Sequence, residues 1–192
     1  MTYPTPITDN KNYKGSGKLT EKVVVITGGD SGIGKAAALA FAKEGAKLSI
    51  VYLGDHEDAV QTKMEIEDYG SECLLIEGDV SKESFCQDSI RLTINTYGKL
   101  DILVNNAGVQ FPQKNLLDVT AENIERTFKV NVFGYIFMAK AALPYLQEGA
   151  NIINTSSVTC YLGHEELLDY SATKGALWLS LDRFLCHWRQ KK

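Results

Sequence analysis

From Lys22 onward, short apolar runs alternate with longer stretches in which apolar residues recur at helical spacing. The runs are Val23-Val24-Val25-Ile26, Leu48-Ser49-Ile50-Val51, Cys73-Leu74-Leu75-Ile76, Ile102-Leu103-Val104 and Ile152-Ile153. They are short, nearly continuous and rich in Val and Ile, which predicts five strands covered on both faces by helices. Residues 34–43, 57–69, 82–96 and 121–146 carry the helical spacing, with Ser81 and Thr120 as N-caps. Strand, helix, strand in repetition requires right-handed crossovers, so residues 21–192 are expected to form one α/β domain around a doubly wound parallel sheet. Residues 1–20 have no apolar period and hold Pro4, Thr5, Pro6 and Gly15-Ser16-Gly17; they read as an arm or linker.

The chain has 192 residues, 44% hydrophobic and 23% charged, enough to bury one core. Twenty basic against 24 acidic residues give a net charge of −4, which offers no basic field for a nucleic-acid backbone. The uncharged stretch 149–163 is short and carries Asn, Ser and Thr, and residues 2–22 are polar, so neither a membrane span nor a secretory leader is expected. Cys73, Cys86, Cys160 and Cys186 are scattered without a C-x-x-C pair, as are His56, His164 and His187. The thiols read as reduced, the compartment as cytoplasmic, and no metal site is expected.

The first strand runs into Thr27-Gly28-Gly29-Asp30-Ser31-Gly32-Ile33-Gly34 and then a helix. Glycines let the backbone approach a pyrophosphate, and the free N–H groups of a helix N-terminus attract its charge. The dinucleotide spacing G-x-G-x-x-G is absent, and a tight turn with nothing bound is the competing reading. Residues 29–35 also satisfy G-x-x-x-x-G-K, but Ala36 follows where magnesium binding needs Ser or Thr.

The turn resembles the T-G-x-x-x-G-x-G loop of the short-chain dehydrogenase/reductase family, which binds the diphosphate of NAD or NADP. Further blocks follow in the family's order: Gly78-Asp79-Val80, Asn105-Asn106-Ala107-Gly108, Asn131 within Lys129-Val130-Asn131-Val132, Ser157, and Tyr170-Ser171-Ala172-Thr173-Lys174, a Y-x-x-x-K signature. The lead-in from Tyr13 to Leu19 is similar to a bacterial subgroup labelled glucose/ribitol dehydrogenase-like or general-stress oxidoreductase. The resemblance implies a Rossmann-type, three-layer α/β/α fold. It implies a cofactor groove lined by Gly28, Asp30, Ser31, Gly32, Ile33, Gly34, Tyr52, Asp79, Val80, Asn106, Ala107, Gly108, Tyr170 and Lys174, with Asp79 at the adenine. It also implies an NAD(P)-dependent oxidoreductase acting on an alcohol or carbonyl, sugars and polyols included, with Asn131, Ser157, Tyr170 and Lys174 as the catalytic set. In it, Asn131 holds a water that links Lys174 to solvent. Homo-oligomers through the long helix and the helix after Tyr170 are a further expectation.

The residues themselves suit that chemistry. Tyr170 and Lys174 are four apart, so both emerge from one helix face, and an ammonium beside a phenol favours the phenolate. Such a group can take an alcohol proton or donate one to a carbonyl, while the Ser157 hydroxyl holds the substrate oxygen. Taken singly, each has a plainer reading: an amphipathic pair, a helix-bending amide, a strand-end hydroxyl. Ser171-x-x-Lys174 mimics the nucleophile motif of penicillin-binding proteins, but its S-D-N partner is missing. Tyr52 stands where an acidic residue would select NAD, and Lys35 beside the turn could favour NADP, so the choice between them stays open.

The chain departs from the family at its end. Two further strands and the loop over the nicotinamide are expected and lacking, which would leave Ile152-Ile153 on an exposed edge. Residues 177–192 lose the family's character, and a one-base shift of reading frame near Ala176 or Leu177 permits a string that restores it. The competing expectations are a frameshifted, catalytically inactive NAD(P)-binding fragment, a short relative completed by a partner, or a scaffold that docks through the arm.

Overall fold

A computed structural model of the chain describes residues 7–189, with side chains described as far as residue 178. Pro4, Thr5 and Pro6 of the arm, and the tail beyond residue 178 apart from its backbone to residue 189, lie outside the described residues. Five parallel strands, β1 (Val23–Thr27), β2 (Lys47–Tyr52), β3 (Cys73–Glu77), β4 (Leu100–Asn105) and β5 (Leu146–Asn154), form one sheet in the order β3-β2-β1-β4-β5. Helices α1 (Gly32–Lys43), α2 (His56–Asp68) and α3 (Glu83–Tyr97) make the crossovers between the first four. The expected doubly wound, three-layer fold is present.

Alternation along buried strands divides the core into two. Val24, Ile26, Leu48, Ile50, Ile102 and Val104 face α1 and α2, where Ala38, Leu39, Ala42 and Ile66 meet them. Val25, Val51, Ile76 and Leu103 face the other layer, against Ile90 of α3 and Met138 and Ala142 of α5 (Tyr135–Ala142). Burial on both faces is why the runs read as continuous rather than alternating. β5 differs: its burial alternates, Ile153 is 45% exposed, and its register with β4 jumps from Leu146 to Asn151 across a bulge that places Gly149 at φ +83. Among the described residues no strand covers its outer edge.

Two expectations need correction. The single helix over 121–146 is divided into α4 (Ala121–Phe128), a π-helical stretch Lys129–Gly134, α5 and a 3-10 turn Leu143–Tyr145; Leu146 already belongs to β5. The wider turn accommodates two local demands. Asn131 must bond the backbone of Val109, and Gly134 packs so close to Val80 that a Cβ would stand 2.9 Å from its side chain. Thr120 caps α4 by accepting the Asn123 N–H at 3.1 Å, but Ser81 does not cap α3; that position is Lys82, and the Ser81 hydroxyl accepts from Arg126 at 3.1 Å.

The described part of the arm lies against α1. The Glu44 carboxylate accepts the Tyr13 hydroxyl and the N–H groups of Ser16 (3.0 Å) and Lys18 (2.9 Å). Asp9 pairs with Lys43 at 2.5 Å and accepts the Tyr69 hydroxyl at 2.7 Å. These bonds hold both carboxyls well below the usual range, to about 2.

Candidate active site

The order β3-β2-β1-β4 reverses winding between β1 and β4, and at such a switch the strand ends leave a crevice. Here it is a cleft of about 400 Å³ at the carboxyl ends of the strands. Gly28, Asp30 and Ser31 from the turn, Tyr52 from β2, Asp79 and Val80 after β3, and Asn106, Ala107 and Gly108 after β4 all line it. Gly32, Ile33, Gly34, Tyr170 and Lys174, also expected there, do not; Ile33 points outward and is 70% exposed.

Close packing shapes the turn. Gly28 has φ +62, and a Cβ there would stand 3.0 Å from Ala107 Cα. At Gly34 a Cβ would fall 1.9 Å from the Gly28 carbonyl oxygen and 2.7 Å from Asn106 Nδ2. Asn106 Nδ2 donates to that same carbonyl at 2.9 Å, and the N–H groups of Asn106 and Ala107 donate to Thr27 Oγ1 at 2.9 and 3.1 Å. The turn is thereby locked to the end of β4. Helix α1 begins at this turn with no acid in its first turn and no side-chain cap on Ser31, so its N-terminal N–H groups remain available to an anion.

None of the expected catalytic residues lines the cleft; two of them, Asn131 and Lys174, are joined to its wall by two hydrogen-bond routes. Asn131 is fully buried in the π-helical stretch; its Oδ1 accepts the Val109 N–H at 2.8 Å, and Nδ2 donates to the Val109 carbonyl at 2.9 Å and to Thr173 Oγ1 at 3.2 Å. It therefore ties the cleft wall to α7 (Leu168–Arg189), which bears Tyr170 and Lys174. On the second route Thr155 Oγ1 donates to Asn106 Oδ1 at 3.1 Å, and the Thr155 carbonyl accepts Lys174 Nζ at 2.7 Å. Lys174 is 2% exposed, donates also to the Tyr135 hydroxyl at 3.3 Å, and places Nζ 5.6 Å from the centre of the Tyr170 ring. Ser157 precedes α6 (Thr159–Leu162), which packs on α7; its Oγ accepts the Thr159 N–H at 3.2 Å and the Thr159 hydroxyl at 3.0 Å.

Three of the expected residues have bonds that bear on their roles. Both amide hydrogens of Asn131 are used by protein acceptors and Oδ1 accepts one bond, so on the side chain only the second lone pair of Oδ1 is left for a water. Asp79 is shared: one oxygen accepts the Ser81 N–H at 2.9 Å and the other pairs with Arg126 at 2.7 Å. Lys35 is turned away from the cleft into an ion pair with Glu65 at 2.8 Å. Among the described residues no three His, Cys, Asp or Glu side chains cluster as a metal site, and no helix is long and apolar enough to cross a membrane.

A sequence model of the short chain dehydrogenase family matches residues 22–191. The chain belongs to that family. It is 54% identical over 174 residues to the uncharacterized oxidoreductase YhdF of Bacillus subtilis, covering 91% of this chain and 60% of that protein. General stress protein 39 of the same organism is 50% identical over 174 residues, with 91% and 61% covered. The chain thus spans about 60% of the length of these curated relatives. Among solved structures, a short chain dehydrogenase from Burkholderia cenocepacia J2315 in complex with NADP is 34% identical and matches with a TM-score of 0.78 over 83% of this chain and 65% of that one.

In this family member, sequence reasoning missed Arg126, Asp55, Thr155 and Tyr135. Tyr135 lies four residues after Asn131, a same-face spacing that could have marked it; Arg126 reaches the cleft from α4 with no local signal. Burial among neutral partners lowers Lys174 to about 8. Its folded pKa lies below its unfolded one, so the cost of burying the ammonium is present in full below about pH 8. That cost is relieved as pH rises toward the unfolded value of about 10.4. Urea unfolding of the unaltered chain and of Lys174→Met should therefore show the unaltered chain gaining relative stability from pH 8 to 10, by up to about 3 kcal/mol. A gap that is flat with pH would mean the lysine is not buried as an ammonium.

Proposed function

We propose that the chain is an NAD(P)-dependent oxidoreductase that interconverts an alcohol and a carbonyl by hydride transfer, with Tyr170 as general acid/base. The observation that carries this reading is Lys174: a lysine almost wholly buried, held by the Thr155 carbonyl and the Tyr135 hydroxyl, with its charge beside the Tyr170 ring. Burying an ammonium costs several kcal/mol unless something nearby uses it, and a developing phenolate one helical turn away does so.

The residues of the cleft fit a dinucleotide. The glycine turn and the uncapped N-terminus of α1 suit a pyrophosphate, and Val80, Val109 and Val130 supply apolar wall for flat rings. NADP in the Burkholderia structure supports the same assignment. When bound, the nicotinamide supplies the carbon that accepts or gives the hydride.

This chain's own residues handle the proton and the oxygen. Tyr170 takes the alcohol proton during oxidation and returns one to the carbonyl oxygen during reduction. Lys174 stabilises the phenolate form. Ser157 Oγ accepts twice from Thr159, so its own hydrogen is free to donate to the substrate oxygen. Asn131 is a positioning residue that holds α7 to the cleft wall. The free thiols of Cys73, Cys86 and Cys160 support a reducing compartment, the cytoplasm.

The direct test mixes the 192-residue chain with NADH or NADPH and a panel of aldehydes and ketones, and with NAD or NADP and sugars and polyols. Substrate-dependent change in nicotinamide absorbance supports the reading. Saturable dinucleotide binding with no turnover on the whole panel replaces it with a non-catalytic binding fragment.

A further inference from the structure

We propose that this cleft selects NAD(H) over NADP(H), and that Asp30 and Asp55 make the selection. The proposal rests on the dinucleotide reading above and deepens it. The two cofactors differ only at the adenosine 2′-position, which in a doubly wound sheet is met at the end of the second strand. That end is Tyr52 and Leu53, neither of them charged. The fold nevertheless brings two carboxylates to the same wall. Asp30 comes from the turn after β1 and Asp55 from the turn before α2, and both line the cleft with Tyr52 and Leu53.

Among the described residues no cation pairs with either acid. The Asp30 carboxylate accepts from a neutral partner, the Ser31 hydroxyl at 3.1 Å, and its main-chain carbonyl is fixed by Thr62 Oγ1 at 2.7 Å. Burial, and then the charges of Asp55 and Asp58, push its carboxyl above the usual range, as expected where further negative charge is unwelcome. Lys35, the residue that could have met a phosphate, is spent on Glu65 at 2.8 Å. Arg126 lines the cleft, but its charge is taken by Asp79 at 2.7 Å.

A carboxylate accepts hydrogen bonds from ribose hydroxyls, whereas a 2′-phosphate carries about −1.5 to −2 charges and offers mainly acceptors. The same wall therefore binds one ligand and repels the other. The choice that Tyr52 left open in the sequence is made by residues 22 positions before it and three after it, brought together by the turn and the start of α2.

The test titrates the full chain with NADH and with NADPH, following nicotinamide fluorescence or heat of binding. NADH should bind at least about tenfold more tightly. Raising the salt should narrow the gap in the unaltered protein, because the discrimination is electrostatic. Asp30→Asn with Asp55→Asn should narrow it chiefly by tightening NADPH, with the fold checked by circular dichroism. Equal or tighter binding of NADPH by the unaltered chain overturns the proposal, and so does a gap insensitive to both salt and the double substitution; either leaves the oxidoreductase reading intact. Binding of neither dinucleotide overturns that reading and this proposal with it.

Discussion

Replacing Tyr170 with phenylalanine is expected to lower turnover by about 10²–10⁴-fold while leaving dinucleotide affinity within about threefold. The substitution removes one oxygen and keeps the ring beside Lys174, so packing of α7 against the π-helical stretch and α6 is retained. What is lost is the group that carries the proton, an interaction made in the transition state; kcat and kcat/KM should therefore fall together. Steady-state kinetics on any substrate found active, paired with NADH titration of the same sample, checks both halves. A loss smaller than tenfold would move the proton-transfer role to another residue. A parallel loss of cofactor affinity would mean that the ring positions the dinucleotide instead.

Gly34→Ala should destabilise the fold, against the ordinary rule for helices. Within a helix, glycine to alanine gains about 1 kcal/mol because alanine restricts the unfolded chain. At Gly34 the new methyl would fall 1.9 Å from the Gly28 carbonyl oxygen, a backbone atom that cannot swing aside without undoing its bond from Asn106. The expected outcome is a loss of about 1–3 kcal/mol in urea unfolding and at least tenfold weaker dinucleotide binding, since the turn that faces the pyrophosphate must open. Gly175 is the internal comparison. It lies in α7 with nothing within 4 Å of its Cβ position, and Gly175→Ala should raise stability by about 0.5–1 kcal/mol. Equal effects at the two glycines would refute the steric account.

Much of the architecture was readable before any coordinates. The runs at 23–26, 48–51, 73–76 and 102–104 lie inside β1 to β4, because a strand buried on both faces must be apolar throughout and so advertises itself locally. Thr120 was readable for the same reason: a cap acts within three residues of itself. The division of the 121–146 helix was not readable. It follows from contacts of Asn131 with Val109, 22 residues earlier, and of Gly134 with Val80, farther still. Ser81 looked like a cap and is not, because Arg126, 45 residues later, takes its hydroxyl.

The candidate site divides along the same line. Motifs fixed by short spacing, the start of the glycine turn and Asn106-Ala107-Gly108, supply residues that line the cleft, and the Tyr170–Lys174 step lies on α7, tied to the cleft wall through Asn131 and Thr155. Their chemical states depend on neighbours that no spacing reveals. Lys174 becomes a buried ammonium only when Thr155 and Tyr135 close on it. Lys35 becomes unavailable only when Glu65 of α2 arrives. Asp30 and Asp55 share a wall only when β2 and α2 return beside the turn. The sequence by itself determined the order of strands and helices along the chain, the glycine turn and the one-turn spacing of Tyr170 and Lys174, since periodicity and fixed offsets are properties of a single segment. Tertiary structure alone decided which charges are paired, which are buried and which face the cleft, because desolvation and Coulomb interactions depend on distances in space between segments far apart in the chain.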